Sequence, residues 1–422
     1  MNTRYHKGVR RIFLAFLSLL LIFSQMLTVF AAEIETNQIS GWPVGPEIST
    51  PNAVVMDADT GTVLYNKGMN EVRYPASITK IMTALLAIEN SSLTDQVTIG
   101  AEAASLEVPG NSRIDAVEGE VFSMDQCLHA ILLASANGVS LQVAEYIAGS
   151  EENFVNMMNE RAAELGCTNT HFNNSNGLPD PDHYTTPHDM ALIMSAAVKN
   201  ETFCSIESDL FYTIPPTNMT SSSRELRNHH AMLFEGEWYY EGAFAGKTGY
   251  TDEAHNTLVT AAKRGDMTLV CVVMLCDNLD YINDTRTLLD YGFNNFTHAV
   301  PEIDSGELLS GQITLPNGSS VSDITYTDAQ NSSETDSSLV SRQYSFGTQP
   351  VGTVQIKLKS TPTPEPSSPD TPIADESEKT ASVFSNPFVI FFLAVDLFGI
   401  ILILIFIRKR HHRKRRRKKN HR

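Results

Sequence analysis

Ser77 and Lys80 stand one helical turn apart at the start of an apolar-periodic stretch, a pairing that can make a nucleophile of a weakly reactive hydroxyl. At i and i+3 the two side chains share a helix face, so a neutral lysine amine can take the serine proton as the hydroxyl attacks a carbonyl. Backbone N–H groups at a helix start favour the negative charge that develops. Lysine is neutral near working pH only when burial and a neighbouring cation lower its pKa, and Lys247 is the candidate cation. An isolated Ser-x-x-Lys is commonly no more than a capping serine and a surface lysine. Here two further signals follow in order. Ser135-Ala-Asn137 ends a predicted helix before Gly138, placing two polar side chains on a turn that can project into a cleft, although alone it is an ordinary helix stop. Lys247-Thr248-Gly249, between Gly246 and Tyr250, reads as a sheet-edge strand whose small residues admit a substrate backbone. Its ammonium and hydroxyl suit a terminal carboxylate. The chemistry implied is serine acyl transfer.

The three signals together form a signature shared by penicillin-binding proteins and class A β-lactamases. Tyr74-Pro-Ala-Ser-Ile-Thr-Lys-Ile-Met-Thr-Ala84, His171-Phe-Asn-Asn-Ser-Asn-Gly-Leu178, His183-Tyr-Thr-Thr186 and Gly246-Lys-Thr-Gly-Tyr-Thr251 narrow the match. With these stretches the chain, from about residue 53 to about residue 293, resembles the serine-type D-alanyl-D-alanine carboxypeptidases, the low-molecular-mass penicillin-binding proteins. The resemblance implies that Ser77 is acylated, that Lys80 is its base and that Ser135 relays a proton to the leaving group. It implies that Asn137 holds the substrate amide, and that Lys247, Thr248, Gly249 and Tyr250 line the substrate strand. The oxyanion hole would map to the N–H groups of Ser77 and Tyr250. Peptidoglycan stem peptides would be the substrate and β-lactam antibiotics covalent inhibitors, with no cofactor and no metal. The two histidine-bearing stretches have no chemical step assigned and read as scaffold, since His171, His183 and His188 lack metal-ligand spacing. The sequence departs from many relatives at Gly138 (often Asp), His188 (often Tyr) and His255-Asn256 (often Gly before an apolar residue). A DD-endopeptidase would use the same residues. A β-lactamase needs a deacylating base, for which Glu164 is in the right region but in a helical context that does not match. A catalytically idle wall scaffold has no need of all five motif side chains.

The elements that must position these residues are strands at both ends of residues 32–295 with helices between. Ala53–Ala58 and Thr62–Tyr65 form a hairpin through Asp59-Thr-Gly61, and Thr257–Ala262 and Met267–Cys276 return as strands. Helices are predicted over Ser77–Ile88, Met124–Ala134, Ser140–Ala148, Glu152–Leu165 and Thr186–Val198. The fold class is α+β: one antiparallel sheet against a helical cluster, which the resemblance makes β-lactamase-like. Residues 296–358 read as a small β-rich domain and 359–386, rich in Pro, Ser, Thr and acids, as a disordered tether.

Residues 1–31 read as a secretory signal peptide, with Arg4, Lys7, Arg10 and Arg11 ahead of an apolar run and Val29-Phe-Ala31 as its cleavage site. Residues 387–407 read as one transmembrane helix, interrupted only by Asp396, and 408–422 as a basic cytoplasmic tail with eleven Lys or Arg. The catalytic part would then face outward from the cell membrane. The formal charge of the 422 residues is −18, but the leader and tail hold fifteen of the 31 basic residues and no acid, leaving about −33 between them. Nucleic acid is therefore not an expected partner, and an anionic substrate must meet specific local cations. Five cysteines, Cys127, Cys167, Cys204, Cys271 and Cys276, suggest buried free thiols. On one strand, Cys271 and Cys276 should point to opposite faces.

Overall fold

The computed structural model describes residues 34–277, 279–330 and 338–359. The expected signal peptide, most of the tether, the spanning helix and the basic tail lie outside the described residues. Among the described residues no helix is long and apolar enough to cross a membrane.

Strands β1 (Asn52–Asp57), β2 (Val63–Lys67), β3 (Ala243–Thr251), β4 (His255–Arg264) and β5 (Met267–Cys276) form one antiparallel sheet in the order β2-β1-β5-β4-β3. Segments more than two hundred residues apart in sequence thus meet at β1 and β5, and β3 is left at an edge. Both faces of the sheet are covered, which is why β1 is wholly buried and β5 almost so. Successive side chains take opposite faces: Val54, Met56, Val270 and Val272 join the core beneath the helices, while Ala53, Val55, Leu269 and Val273 join a second core.

The helical layer contains α1 (Lys80–Asn90), α2 (Met124–Leu132), α3 (Asn137–Ala148), α4 (Glu151–Glu164), α5 (Pro187–Ala197) and α6 (Glu201–Ser208). Every residue of α1 from Lys80 to Ala87 is buried, so its lysine is carried into the interior by an otherwise apolar element. Local chemistry sets the other boundaries. Ser123 and Gln126 form a capping box on α2, and Thr186 caps α5 with Pro187 in its first turn. α6 is missing from the sequence prediction, as is α7 (Asp280–Asn295), which covers the second core. Gly292 lets α7 sit close, since a Cβ there would fall 2.5 Å from Leu269 Cδ1.

Residues 296–358 are β-rich. β6 (Phe296–Ala299) pairs antiparallel with β8 (Ile313–Pro316), while β7 (Gly306–Ser310), β11 (Gln349–Leu358), β10 (Leu339–Phe346) and β9 (Ile324–Gln330) form a four-stranded sheet in that order. Phe296, Ile313, Val354 and Ile356 share the second core with Leu64 and Tyr65, and His298 Nε2 and Thr314 Oγ1 reach Asp57 Oδ2 at 2.7 and 2.6 Å.

The expectation for Cys271 and Cys276 is corrected here. Leu275 has φ +63° and the β4–β5 register shifts beside it, so the strand gains an irregularity that turns Cys276 into the same second core as Cys271. All five thiols are free, Cys127, Cys271 and Cys276 buried and Cys167 and Cys204 half-buried.

Candidate active site

Ser77 does not begin an α-helix. It lies in a 3₁₀ turn, Ala76–Thr79, that runs directly into α1 at Lys80. The residue before it, Ala76, is held at φ +52°, a left-handed conformation that costs a non-glycine residue roughly 1–2 kcal/mol. Several contacts hold it there. Thr257 Oγ1 on β4 donates to Pro75 O at 3.0 Å, and Thr79 Oγ1 donates to Ala76 O at 2.8 Å. Two glycines close in from either side: a Cβ on Gly177 would fall 1.9 Å from Ala76 O, and one on Gly249 would fall 2.9 Å from Ser77 N. The Ser77 N–H is thus set between the β3 edge and the 175–178 loop.

Ser77 is half-buried and Lys80 is completely buried. Lys80 Nζ lies 3.1 Å from Ser77 Oγ and donates to Asn137 Oδ1 at 2.7 Å and to Asn176 O. Three oxygens around one amine fix its position, and two carbonyl acceptors leave the lone pair of a neutral amine for the serine hydroxyl. Burial, and then the charge of Lys247, push its pKa well below that of an ordinary lysine. The structure therefore contains both causes named from the sequence.

Ser135 and Asn137 reach the site from the junction between α2 and α3. Asn137 does not end a helix as predicted; it is the first residue of α3, because the chain reverses at Ser135, where φ is +60°. Ser135 Oγ is buried without a hydrogen-bond partner among the described residues, and so makes no bond to Lys80. Asn137 N donates to Ser112 O at 2.9 Å, tying the turn to the 106–116 loop. The departure at Gly138 has a local cause. A Cβ there would fall 2.4 Å from Ala103 O and 2.7 Å from Glu107 Oε1, so the space an aspartate would need is taken.

On β3, Lys247 is buried with its ammonium donating to Thr248 O at 3.1 Å, and Thr248 and Gly249 are half-buried. Tyr250 is 62% exposed, its hydroxyl 3.3 Å from Asp252 Oδ1. The other departures lie off this group: His188 faces Asp189 at 3.5 Å, and His255 sits where β4 begins, 2.5 Å from Asp277 Oδ1. Glu164 is exposed on α4 and paired with Arg161 at 3.0 Å; it is not brought to Ser77.

The histidine-bearing stretches, read from the sequence as scaffold with no chemical step, build the floor of the site. Burial holds the His183 imidazole down at about 4, hence neutral. Its Nδ1 accepts from the N–H groups of Asn173 and Asn174 at 2.9 and 3.3 Å, so the proton is on Nε2, which donates to Thr79 Oγ1 at 2.8 Å. Thr83 Oγ1 donates to Ser175 O at 2.6 Å, one residue before the carbonyl that receives Lys80. Asp189 at the start of α5 accepts from Asn169 N and Thr170 Oγ1, each at 2.8 Å, and so anchors the loop's entry. The Asn-Asn-Ser-Asn-Gly run was the legible signal, since such residues favour turns whose carbonyls face inward.

The arrangement can deprotonate a serine hydroxyl beside a backbone N–H, next to a strand edge carrying a buried cation. A model of the peptidase S11 family, described as D-alanyl-D-alanine carboxypeptidase, matches residues 39–278. The D-alanyl-D-alanine carboxypeptidase DacF of Bacillus subtilis is 37% identical over 254 residues, covering 58% of this chain and 63% of that protein, somewhat under two thirds of its length. The crystal structure of a D-alanyl-D-alanine carboxypeptidase from Mycobacterium tuberculosis H37Rv matches with a TM-score of 0.55 at 30% identity, covering 61% of this chain and 95% of that one. That of penicillin binding protein 6B from Escherichia coli matches with a TM-score of 0.61 at 26% identity, covering 76% of this chain and 98% of that one. With more than half its length matched by that model, and its sheet, helical layer and serine–lysine pair in place, this chain belongs to the D-alanyl-D-alanine carboxypeptidase family, peptidase S11.

Proposed function

We propose that this protein removes the C-terminal D-alanine from peptidoglycan stem peptides through an acyl-Ser77 intermediate. The observation that carries the reading is the buried, pKa-depressed Lys80 within hydrogen-bond distance of Ser77 Oγ. Neutral Lys80 takes the Ser77 proton as Oγ attacks the penultimate carbonyl; the oxyanion is met by the N–H groups of Ser77 and Tyr250. Ser135 passes a proton to the departing D-alanine, Asn137 holds the substrate amide, and Lys247 and Thr248 meet the terminal carboxylate. Water then resolves the acyl-enzyme. A β-lactam acylates Ser77 in the same way, but its leaving group stays tethered, so the adduct is long-lived. The exposed, salt-bridged Glu164 supports the peptidase over a class A-type β-lactamase. Residues 387–407 anchor the protein in the cell membrane and the tether carries the catalytic part outside it, as the leader and the basic tail suggest.

Full-length protein in detergent, given a diacylated Lys-D-Ala-D-Ala peptide, is expected to release D-alanine, and Ser77→Ala is expected to release none. A folded parent protein that releases no D-alanine contradicts the reading.

A further inference from the structure

Beneath β3 lies a sealed polar group that the motifs do not include. Glu207, at the end of α6, has no exposed surface; its Oε2 accepts from the N–H of Gly246 at 3.3 Å, and its Oε1 has no partner among the described residues. Gly246 immediately precedes Lys247. Only glycine fits there, since a Cβ would fall 2.2 Å from Val259 O and 2.6 Å from His230 Nε2. His230 is also buried, its Nε2 2.9 Å from Thr260 Oγ1 and its Nδ1 without a partner among the described residues. A buried carboxyl with one unsatisfied oxygen is costly, and structural economy would replace it with an apolar side chain. Its position under the one lysine assigned to substrate suggests why it is there.

We propose that Glu207 is a positioning residue for Lys247, a carboxyl that keeps the lysine's ammonium charged and its strand held to α6 while the substrate's terminal carboxylate binds. The inference rests on the reading of Lys247 given above. Titratable groups couple to Lys247 from three elements: Lys80 on α1, Glu207 on α6, and His229 and His230 ahead of β3. Burial and Lys247 hold both histidines down at about 4, so neither carries charge at neutral pH. Lys80, held without its proton by burial and by Lys247, brings no charge to Lys247. Burial brings Lys247 down to about 8, and among the described residues Glu207 is the opposing charge that raises it; burial pushes the Glu207 carboxyl up to about 8, an effect that Lys247 only partly offsets. Protons of such a pair are shared: as pH rises, ionisation of Glu207 delays loss of the Lys247 proton. Glutamine at 207 keeps the shape and a hydrogen-bonding oxygen but cannot ionise, so Lys247 loses its charge at lower pH.

The test is the pH profile of kcat/KM for D-alanine release by the full chain, compared among the parent, Glu207→Gln and Glu207→Asp. At about pH 6 Glu207→Gln is expected to stay within roughly twofold of the parent. At about pH 9 its kcat/KM is expected to fall by about tenfold, chiefly in KM, which corresponds to a pKa lowered by about one. Glu207→Asp, which retains the charge, should lie between the two. Equal loss at every pH, or a Glu207→Asp profile no better than that of glutamine, would show a merely structural carboxyl and overturn the proposal. Lys247→Gln separates the two levels: it should abolish the preference for the peptide acid over its carboxamide. If that preference survives, the carboxylate role of Lys247 fails and the inference falls with it.

Discussion

At the scale of single residues the account turns on two buried lysines that must be in opposite states: Lys80 without its proton to act as base, Lys247 with one to hold a carboxylate. Repulsion between them, added to burial, is what lowers Lys80. Lys247→Gln removes the repulsion, so the Lys80 pKa should rise and the acid limb of kcat/KM move to higher pH. A limb that stays in place in that variant would dissociate the two groups. Ser77 and Lys80 were legible from their spacing, because a nucleophile and its base need a fixed helical offset, whereas Asn137 and Lys247 were legible only through the joint three-motif signature and the family resemblance. Asn176, Gly177, His183 and Glu207 were not. They act through a backbone carbonyl, a missing Cβ, a tautomer and burial, none of which has a spacing signature.

At the scale of elements, the site is a strained turn wedged between two pieces of backbone. Gly177 has φ +83° and abuts Ala76 O, so Gly177→Ala must shift the residue that aims Ser77. That substitution should cost more than about 1 kcal/mol of stability and slow β-lactam acylation at least as strongly as it lowers Tm. Gly138→Asp should likewise destabilise the protein, since it meets Ala103 O and a second carboxylate, Glu107. Thermal melting of both variants checks these outcomes. The helices around the motifs were readable from period and caps, with the exception of α3, whose start at Asn137 is hidden by the φ +60° turn at Ser135. α7 was missed because its Asn, Asp and Thr residues obscure a stripe of Ile282, Leu288, Leu289 and Tyr291.

At the scale of the molecule, the sheet is the shared wall of two cores, and residues 296–358 help to close the second. The sequence suggested strands there but not what they cover, since which face of β1 and β5 meets which layer is a tertiary matter. Removing 296–359 would bare Leu64, Tyr65 and Leu289, and the shortened chain should melt at lower temperature than the parent even though every motif residue remains. Buried neutral histidines give the whole a pH signature. His183 and His230 are held at about 4, below the ordinary value of 6.5, so the unfolded chain binds more protons between those limits. Stability should be unaffected by them above about pH 6.5 and fall as pH drops toward 4, by on the order of 3 kcal/mol for each. Denaturant midpoints across that range should show the loss, and His183→Gln should reduce its slope.

The central claim is that Ser77 becomes acylated, and peptide mapping by mass spectrometry of the full-length protein after brief exposure to benzylpenicillin tests it most directly. The account predicts one penicilloyl group, on the peptide containing Ser77, absent from both Ser77→Ala and Lys80→Ala. A folded protein that takes up no adduct, or takes it up on another residue, would contradict it.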